Sequence, residues 1–221
     1  MKLVHELQNV ASSTEFNTVD VLRKAMLVAG KTKRPDILQW LNNELDGYDC
    51  KPEQLPWYRK LLGGVFYRRL GLVSLGYGQL GTMEGHIHWD VVPTVTVHVF
   101  QSIPSLTNML SIHTENDAIK ISLPSDLEKA VREWCKLCNE RFTDFEWVQK
   151  VHPSEFTAVI ETVKTSVLRW AIDLEAEGVL GEDMTITPEE VEKAQKVELH
   201  LHQHIGKISG DLNNNENRSE N

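Results

Sequence analysis

Cysteine is scarce, with three residues in a chain of 221. Cys50, Cys135 and Cys138 are too few and too unevenly spaced for a disulfide framework, which fits a reducing compartment. No window approaches the roughly 18 consecutive apolar residues of a membrane span, and Glu6 and Gln8 stand where a signal peptide would need an apolar core. A cytoplasmic protein with no membrane contact is expected. Positive charge is also short: the formal net charge is -9 and the pI about 5.5, so the overall field repels phosphate backbones and argues against nucleic acid as a partner. The densest basic cluster, Lys31, Lys33 and Arg34 beside Arg23 and Lys24, reads as a solvated helix-helix corner.

Hydrophobic residues make up 41% of the chain and charged residues 25%, which is ordinary for a globular domain with a real core. Val19, Leu22, Met26 and Ala29 recur at helical spacing, with Gly30 as the expected stop. Pro35 then opens a second helix carrying Ile37, Leu41 and Leu45 on one face and Gly47 at its end. The two form an antiparallel helical hairpin. From Leu61 to Phe100 the texture turns to short β-like runs, and Val95, Val97 and Val99 alternate with Thr96 and His98. AIKISL continues the alternation, so a small, mainly antiparallel sheet is expected here. Ser125 to Glu128 form an S-x-x-E capping box that starts a helix through DLEKAVREWCKLCNERF. After Pro153 a stripe of Phe156, Val159, Ile160, Val163, Val167, Trp170, Ala171 and Leu174 marks a long helix closed by Gly178. A short charged helix follows Pro188, and VELHLHQHI alternates with period two as a strand would. The tail GDLNNNENRSEN is too polar to order itself. The fold class is α+β: an N-terminal helical hairpin, a small sheet, then long C-terminal helices packed on it.

GYGQLG, residues 76–81, matches the dinucleotide-binding G-x-G-x-x-G. That site needs a helix directly after the glycines, to face the pyrophosphate with its N-terminus. TMEGHIHWD follows instead, so the glycines read as a turn or kink between strands, and no cofactor is expected. Cys135 and Cys138 form a C-x-x-C, but they lie well inside a helix rather than at its start, where the dipole would favour thiolate. Two buried thiols are the simpler reading. His86 with His88, and His200 with His202 and His204, are His-x-His pairs of the kind that chelate metal from a strand. A second C-x-x-C or H-x-x-x-H is missing, and solvent-facing histidines are the expectation. Asp173, Glu175, Glu177, Glu182 and Asp183 crowd the end of the long helix as a solvated face. No residue is marked as catalytic by these patterns.

Two segments carry rarer combinations. They are Trp40-Leu41-x-x-Glu44-Leu45-x-Gly47-Tyr48 and Trp170-Ala171-x-x-Leu174-Glu175-x-x-Gly178-x-Leu180-Gly181. With LPWYRKL, Phe100-Gln101-Ser102-Ile103, SLTNML and Leu123-Pro124 in order between them, the chain resembles the AbiTii domain over about residues 17 to 195. That leaves 1–16 as an N-terminal extension, 196–209 as a short strand-like segment and 210–221 as a disordered tail. The resemblance implies a role in bacterial abortive-infection defence against phage and brings no catalytic mechanism with it. The landmark residues also have folding explanations: Trp40 and Trp170 as core anchors, Gly47 and Gly178 as helix closures, Glu44 and Glu175 as partners of arginines or caps. A sensor, regulatory or assembly module acting through a protein partner or as a homo-oligomer is expected, with a phage component as a further candidate partner. The alternative is a metal-dependent hydrolase or nuclease using His86, His88, His200 or His202 with a carboxylate.

Overall fold

A computed structural model describes residues 2–69, 78–79, 95–112, 118–138, 145–199 and 201. The α+β architecture expected from the sequence is present. Among the described residues there are helices α1 (Leu3–Ser12), α2 (Thr18–Lys31), α3 (Pro35–Asp46), α4 (Ile103–Ile112), α5 (Ser125–Cys138), α6 (Pro153–Ala176) and α7 (Pro188–Ala194). The strands are β1 (Lys60–Arg69), β2 (Gly78–Gln79), β3 (Val95–His98), β4 (Ile119–Ser122) and β5 (Phe145–Val151).

The hairpin forms as its periodicity predicts, with one correction. Helix α2 runs past Gly30 to Lys31, and the left-handed turn falls on Lys33 at φ 55°. The Thr32 amide and hydroxyl both return to the Val28 carbonyl at 2.9 Å, so a buried threonine closes the helix where glycine was expected to. Residues 1–16, read as an extension, hold a helix of their own. Helix α1 lays Leu3, Val4, Leu7 and Ala11 into the core, against α2 and α6.

Helix α6 is the axis of the molecule, touching α1, α2 and α4. Its stripe is buried as expected, from Phe156 to Leu174, with Ile160 half-buried. The sheet order is β2-β1-β5-β4, and β3 pairs with the first part of β1, all antiparallel. β5 has no counterpart in the sequence reading, yet it joins β1 to β4. Along it Trp147, Val148 and Gln149 are all buried, so its pattern carries no apolar-polar alternation. Val65, Ile119, Gln149 and Val151 share the core face through the register Val65↔Gln149 and Ile119↔Val151.

Helix α5 starts at Ser125, where the sequence places its beginning; the Glu128 amide donates to the Pro124 carbonyl at 2.9 Å, and the Glu128 carboxylate accepts from Arg132 at 2.7 Å. Gly78 and Gln79 of the glycine motif pair with Tyr67 and Phe66 as a two-residue strand; the rest of the motif, and the turn expected there, lies outside the described residues. One further expectation changes. Val197 to Leu199 and Leu201, read as strand, pair with nothing in the sheet; the Leu201 carbonyl accepts the Trp57 indole N–H at 2.7 Å.

Candidate functional site

The first landmark segment closes around a buried ion pair. Helix α3 places Trp40 and Glu44 one turn apart on its inner face, and the 3-10 turn Trp57–Arg59 brings Tyr58 and Arg59 against them. The side chains of Glu44 and Arg59 are 0% exposed. One Glu44 oxygen accepts the Tyr48 hydroxyl at 2.5 Å, the Tyr58 hydroxyl at 2.6 Å and Arg59 Nε at 3.3 Å. The other pairs with the Arg59 guanidinium. Arg59 also donates to the Val99 carbonyl at 3.2 Å and the Gln101 carbonyl at 2.6 Å, and it lies over the Tyr48 ring, 4.8 Å from the centroid. Trp40 Nε1 donates to the Tyr58 hydroxyl at 2.8 Å.

A buried charge pair is tolerable only when its remaining donors and acceptors are satisfied, and here they are. Burial, and next the Glu44 charge, push the Tyr48 and Tyr58 hydroxyls well above the usual tyrosine range. Both phenols therefore stay protonated and donate. Gly47 completes the arrangement. It sits at φ 98°, and a Cβ there would come within 3.0 Å of the Phe100 carbonyl oxygen, which accepts the Tyr48 amide at 2.8 Å. Gln101 contributes its backbone carbonyl, Ser102 Oγ accepts the Ser105 amide at 3.3 Å at the start of α4, and Ile103 is fully buried.

The second landmark segment works differently. Trp170 and Leu174 are buried in the core. At the end of α6 the Gly178 amide donates to the Glu175 carbonyl at 2.8 Å and the Val179 amide to Leu174 at 2.9 Å, the paired bonds of a Schellman closure. Gly178 at φ 76° supplies the left-handed residue that this closure needs. Gly181 at φ 67° packs so closely that a Cβ would lie 2.6 Å from Ile186 and 3.2 Å from Leu3. The carbonyls of Leu180 and Gly181 accept the first amides of α1, from Val4 at 3.1 Å and Leu3 at 2.9 Å. Their own amides donate to Glu190, both at 2.9 Å, and the Thr187 amide adds a third bond at 2.8 Å. Partial burial works to raise the Glu190 carboxyl; the amides of Gly181, Thr187 and Leu180 outweigh it and hold it at about 2.

Glu175 turns outward. His5 Nε2 lies 2.9 Å from one of its oxygens, and Gln8 donates to the other at 2.8 Å and to the Ala171 carbonyl at 3.1 Å. The Gln8 bond, ahead of those from His5, lowers its carboxyl below the ordinary range. Glu44 and Glu175 thus belong to separate places, one sealed in the core and one on the α1/α6 surface, and form no common site.

The remaining candidates divide. His86, His88, His200 and His202 lie outside the described residues. Among the described residues no three His, Cys, Asp or Glu side chains converge as metal ligands. The backbone of Cys135 and Cys138 is helical, and Cys50 is a half-buried free thiol. The acidic group around the end of α6 is dispersed: Asp173 and Glu177 edge a shallow hollow with Lys196 and Glu198, while Glu175 is held by His5 and Gln8. The basic corner is also not uniformly solvated. Arg34 is buried, donating to the Ala194 carbonyl at 2.8 Å and to that of Val197 beyond α7, with Asp36 chelated by the same guanidinium. Lys24 pairs with Glu6.

The sequence reading did not mark Tyr58 or Arg59 as partners of Glu44, and it took Arg34 for a solvated residue. Glu190 stands in the Thr187-Pro188-x-Glu190 capping box that opens α7, but its bonds to the Leu180 and Gly181 amides had no local signal. Arg59 had none either, because its partners come from α3 and from the chain at 99–101.

The fold and this enclosed network define an α+β protein organised around an internal Glu-Arg pair. The AbiTii family profile matches residues 2–199, and the chain belongs to that family. No curated protein and no solved structure matches it. The family name suggests abortive-infection phage defence. Among the described residues no helix is long and apolar enough to cross a membrane.

Proposed function

We propose that the chain is a cytoplasmic phage-defence protein that acts through protein-protein contacts, as a sensor, regulatory or assembly module. The observation that carries this reading is the use made of the landmark residues. Trp40, Glu44, Gly47 and Tyr48 are occupied with one another, with Arg59 and with backbone. Chemistry needs a group that a substrate can reach, and the Glu44 carboxylate is closed off from solvent. What this part of the molecule offers is a rigid scaffold, and its surface is left to carry recognition.

The test is plaque formation, at low and high phage multiplicity, on cells with and without the protein, while survival of infected cells is followed. Fewer plaques with early death of the infected cells is the expected result. No protection against a broad phage panel would count against the reading. Metal analysis of purified chain keeps the hydrolase alternative in view: stoichiometric zinc or manganese that disappears in a His200→Ala/His202→Ala variant would favour it.

A further inference from the structure

The chain beyond α7 runs over the body of the molecule without joining the sheet. Val197 is buried, Glu198 exposed and Leu199 half-buried, so its side chains alternate inward and outward as they do along a peptide laid in a groove. Val197 belongs to the core, and Leu199 and Leu201 pack against its margin. Among the described residues the backbone bonds of this run are local, from Val197 to Ala194 at 3.3 Å and from Leu201 to Leu199 at 3.1 Å.

Side chains supply the grip. Gln195 fixes the start by donating to the Thr32 carbonyl at 2.9 Å and the Lys33 carbonyl at 3.2 Å. Arg34 donates to the Ala194 carbonyl at 2.8 Å and to that of Val197, and Trp57 Nε1 holds the Leu201 carbonyl at 2.7 Å. Donors that bind main-chain carbonyls are indifferent to sequence, whereas the inward apolar positions are not. That division of labour is how recognition sites hold peptide segments.

The hold weakens along the run. At its start Arg34 is buried and chelated by Asp36. At its end Trp57 and Leu201 are half-buried and one hydrogen bond joins them. Lys196, Val197 and Glu198 also rim a hollow of about 290 Å³ shared with Asp173 and Glu177 of α6, which leaves this flank open to water. Segments with few buried apolar contacts are the first to open. Release from the Leu201 end uncovers two half-buried leucines and one indole, and leaves Val197 and the core closed.

We infer that residues 197–201 are a releasable strap, and that the track it occupies beside Arg34 and Trp57 receives a segment of a protein partner carrying apolar residues at every second position. The strap itself shows the chemistry that the track accepts. The inference rests on the reading that the protein works through protein-protein contacts, and it names the surface and the kind of segment.

The probe is a fluorescein-labelled peptide of residues 196–201, KVELHL, added in trans to the full chain and followed by anisotropy. A tethered strap competes at an effective concentration on the order of millimolar, so the wild-type chain should take up little peptide. In Leu199→Asp/Leu201→Asp the strap is weakened, and affinity for the peptide should rise by about 10-fold or more as the track empties. The same peptide carrying Leu199→Asp and Leu201→Asp should bind neither chain. Circular dichroism checks that the double variant folds. If it does not, Leu201→Asp alone replaces it; a chain that unfolds on that single change overturns the inference, because the run is then a part of the core. Equal uptake by wild type and variant, no uptake by either, or uptake of the aspartate peptide would overturn it as well. Plaque assays separate it from the functional reading. A chain that protects cells but takes up no peptide removes the strap and leaves phage defence standing; peptide uptake by a chain that protects against no phage does the reverse.

Discussion

The two tryptophan-glutamate-glycine segments resemble each other in composition, but the fold puts their glutamates to opposite uses. In the first, Glu44 stands four residues after Trp40; in the second, Glu175 stands five after Trp170. At 3.6 residues per turn, four positions return to within about 40° of the starting direction, whereas five leave the side chain about 140° away. Glu44 therefore follows Trp40 into the core and must be neutralised there by Arg59. In the second segment Leu174 takes that inward place, and Glu175 faces water, where His5 and Gln8 bind it to α1. A shift of a single residue in spacing separates an internal ion pair from a surface clamp.

The sharpest way to break this contrast is to remove one member of the buried pair. Arg59→Met leaves the Glu44 carboxylate enclosed without its counter-charge, and it should cost about 3 to 5 kcal/mol in urea unfolding. Glu44→Leu combined with Arg59→Met should cost clearly less than the two single changes added together. A strictly additive result would mean that the pair is not coupled.

Gly47→Ala comes next, at about 1 to 3 kcal/mol, because a Cβ meets the Phe100 carbonyl at a positive φ. Gly30→Ala, within α2 and facing open space, should be neutral or slightly stabilising in the same assay.

Titration offers a third measure. The folded-state pKa of Tyr48 and Tyr58 is raised, so their contribution is complete below about pH 10 and is lost as pH climbs above it. Ultraviolet absorbance should show two of the four tyrosines ionising only as the chain unfolds. Early ionisation of all four would mean that the Glu44 site is open to water.

Glu190 carries the opposite sign. Its folded carboxyl is held at about 2, below the ordinary 4.5, so its contribution is present above pH 4.5 and disappears as pH falls towards 2. Glu190→Gln should lower stability by about 1 kcal/mol at neutral pH, the value expected for partly exposed charge-assisted bonds. It should also flatten the acid limb of a stability-pH curve. Glu175→Gln should shift the unfolding midpoint less than Glu190→Gln does. A larger shift would place the α1/α6 clamp among the main supports of the fold.

Much of the helical layer was legible because helices write their structure locally. The stripe from Phe156 to Leu174 repeats at 3.6 residues, Pro153 and Pro188 mark helix starts, and Gly178 supplies the left-handed residue of the α6 closure. Where a local signal was weak the reading slipped. Helix α1 was taken for an extension, although its buried face is formed by Leu3, Val4, Leu7 and Ala11. β5 was missed because Gln149 occupies a core position and Val148 is buried on the other face, which erases the period-two pattern. Gly30 was read as a stop because glycine so often ends helices, but the Thr32 hydroxyl provides the cap.

By itself the sequence determined the fold class, the hairpin, the long axial helix and the family, because each rests on spacings within a few turns of one chain segment. The tertiary structure alone decided that Arg59 meets Glu44 and the carbonyls of Val99 and Gln101, that α1 hangs from the Leu180 and Gly181 carbonyls, and that Arg34 and Trp57 hold the run beyond α7. Those contacts join residues tens to more than a hundred positions apart. Burial and charge neutralisation act on distance in space, and no local period records which distant segment will arrive.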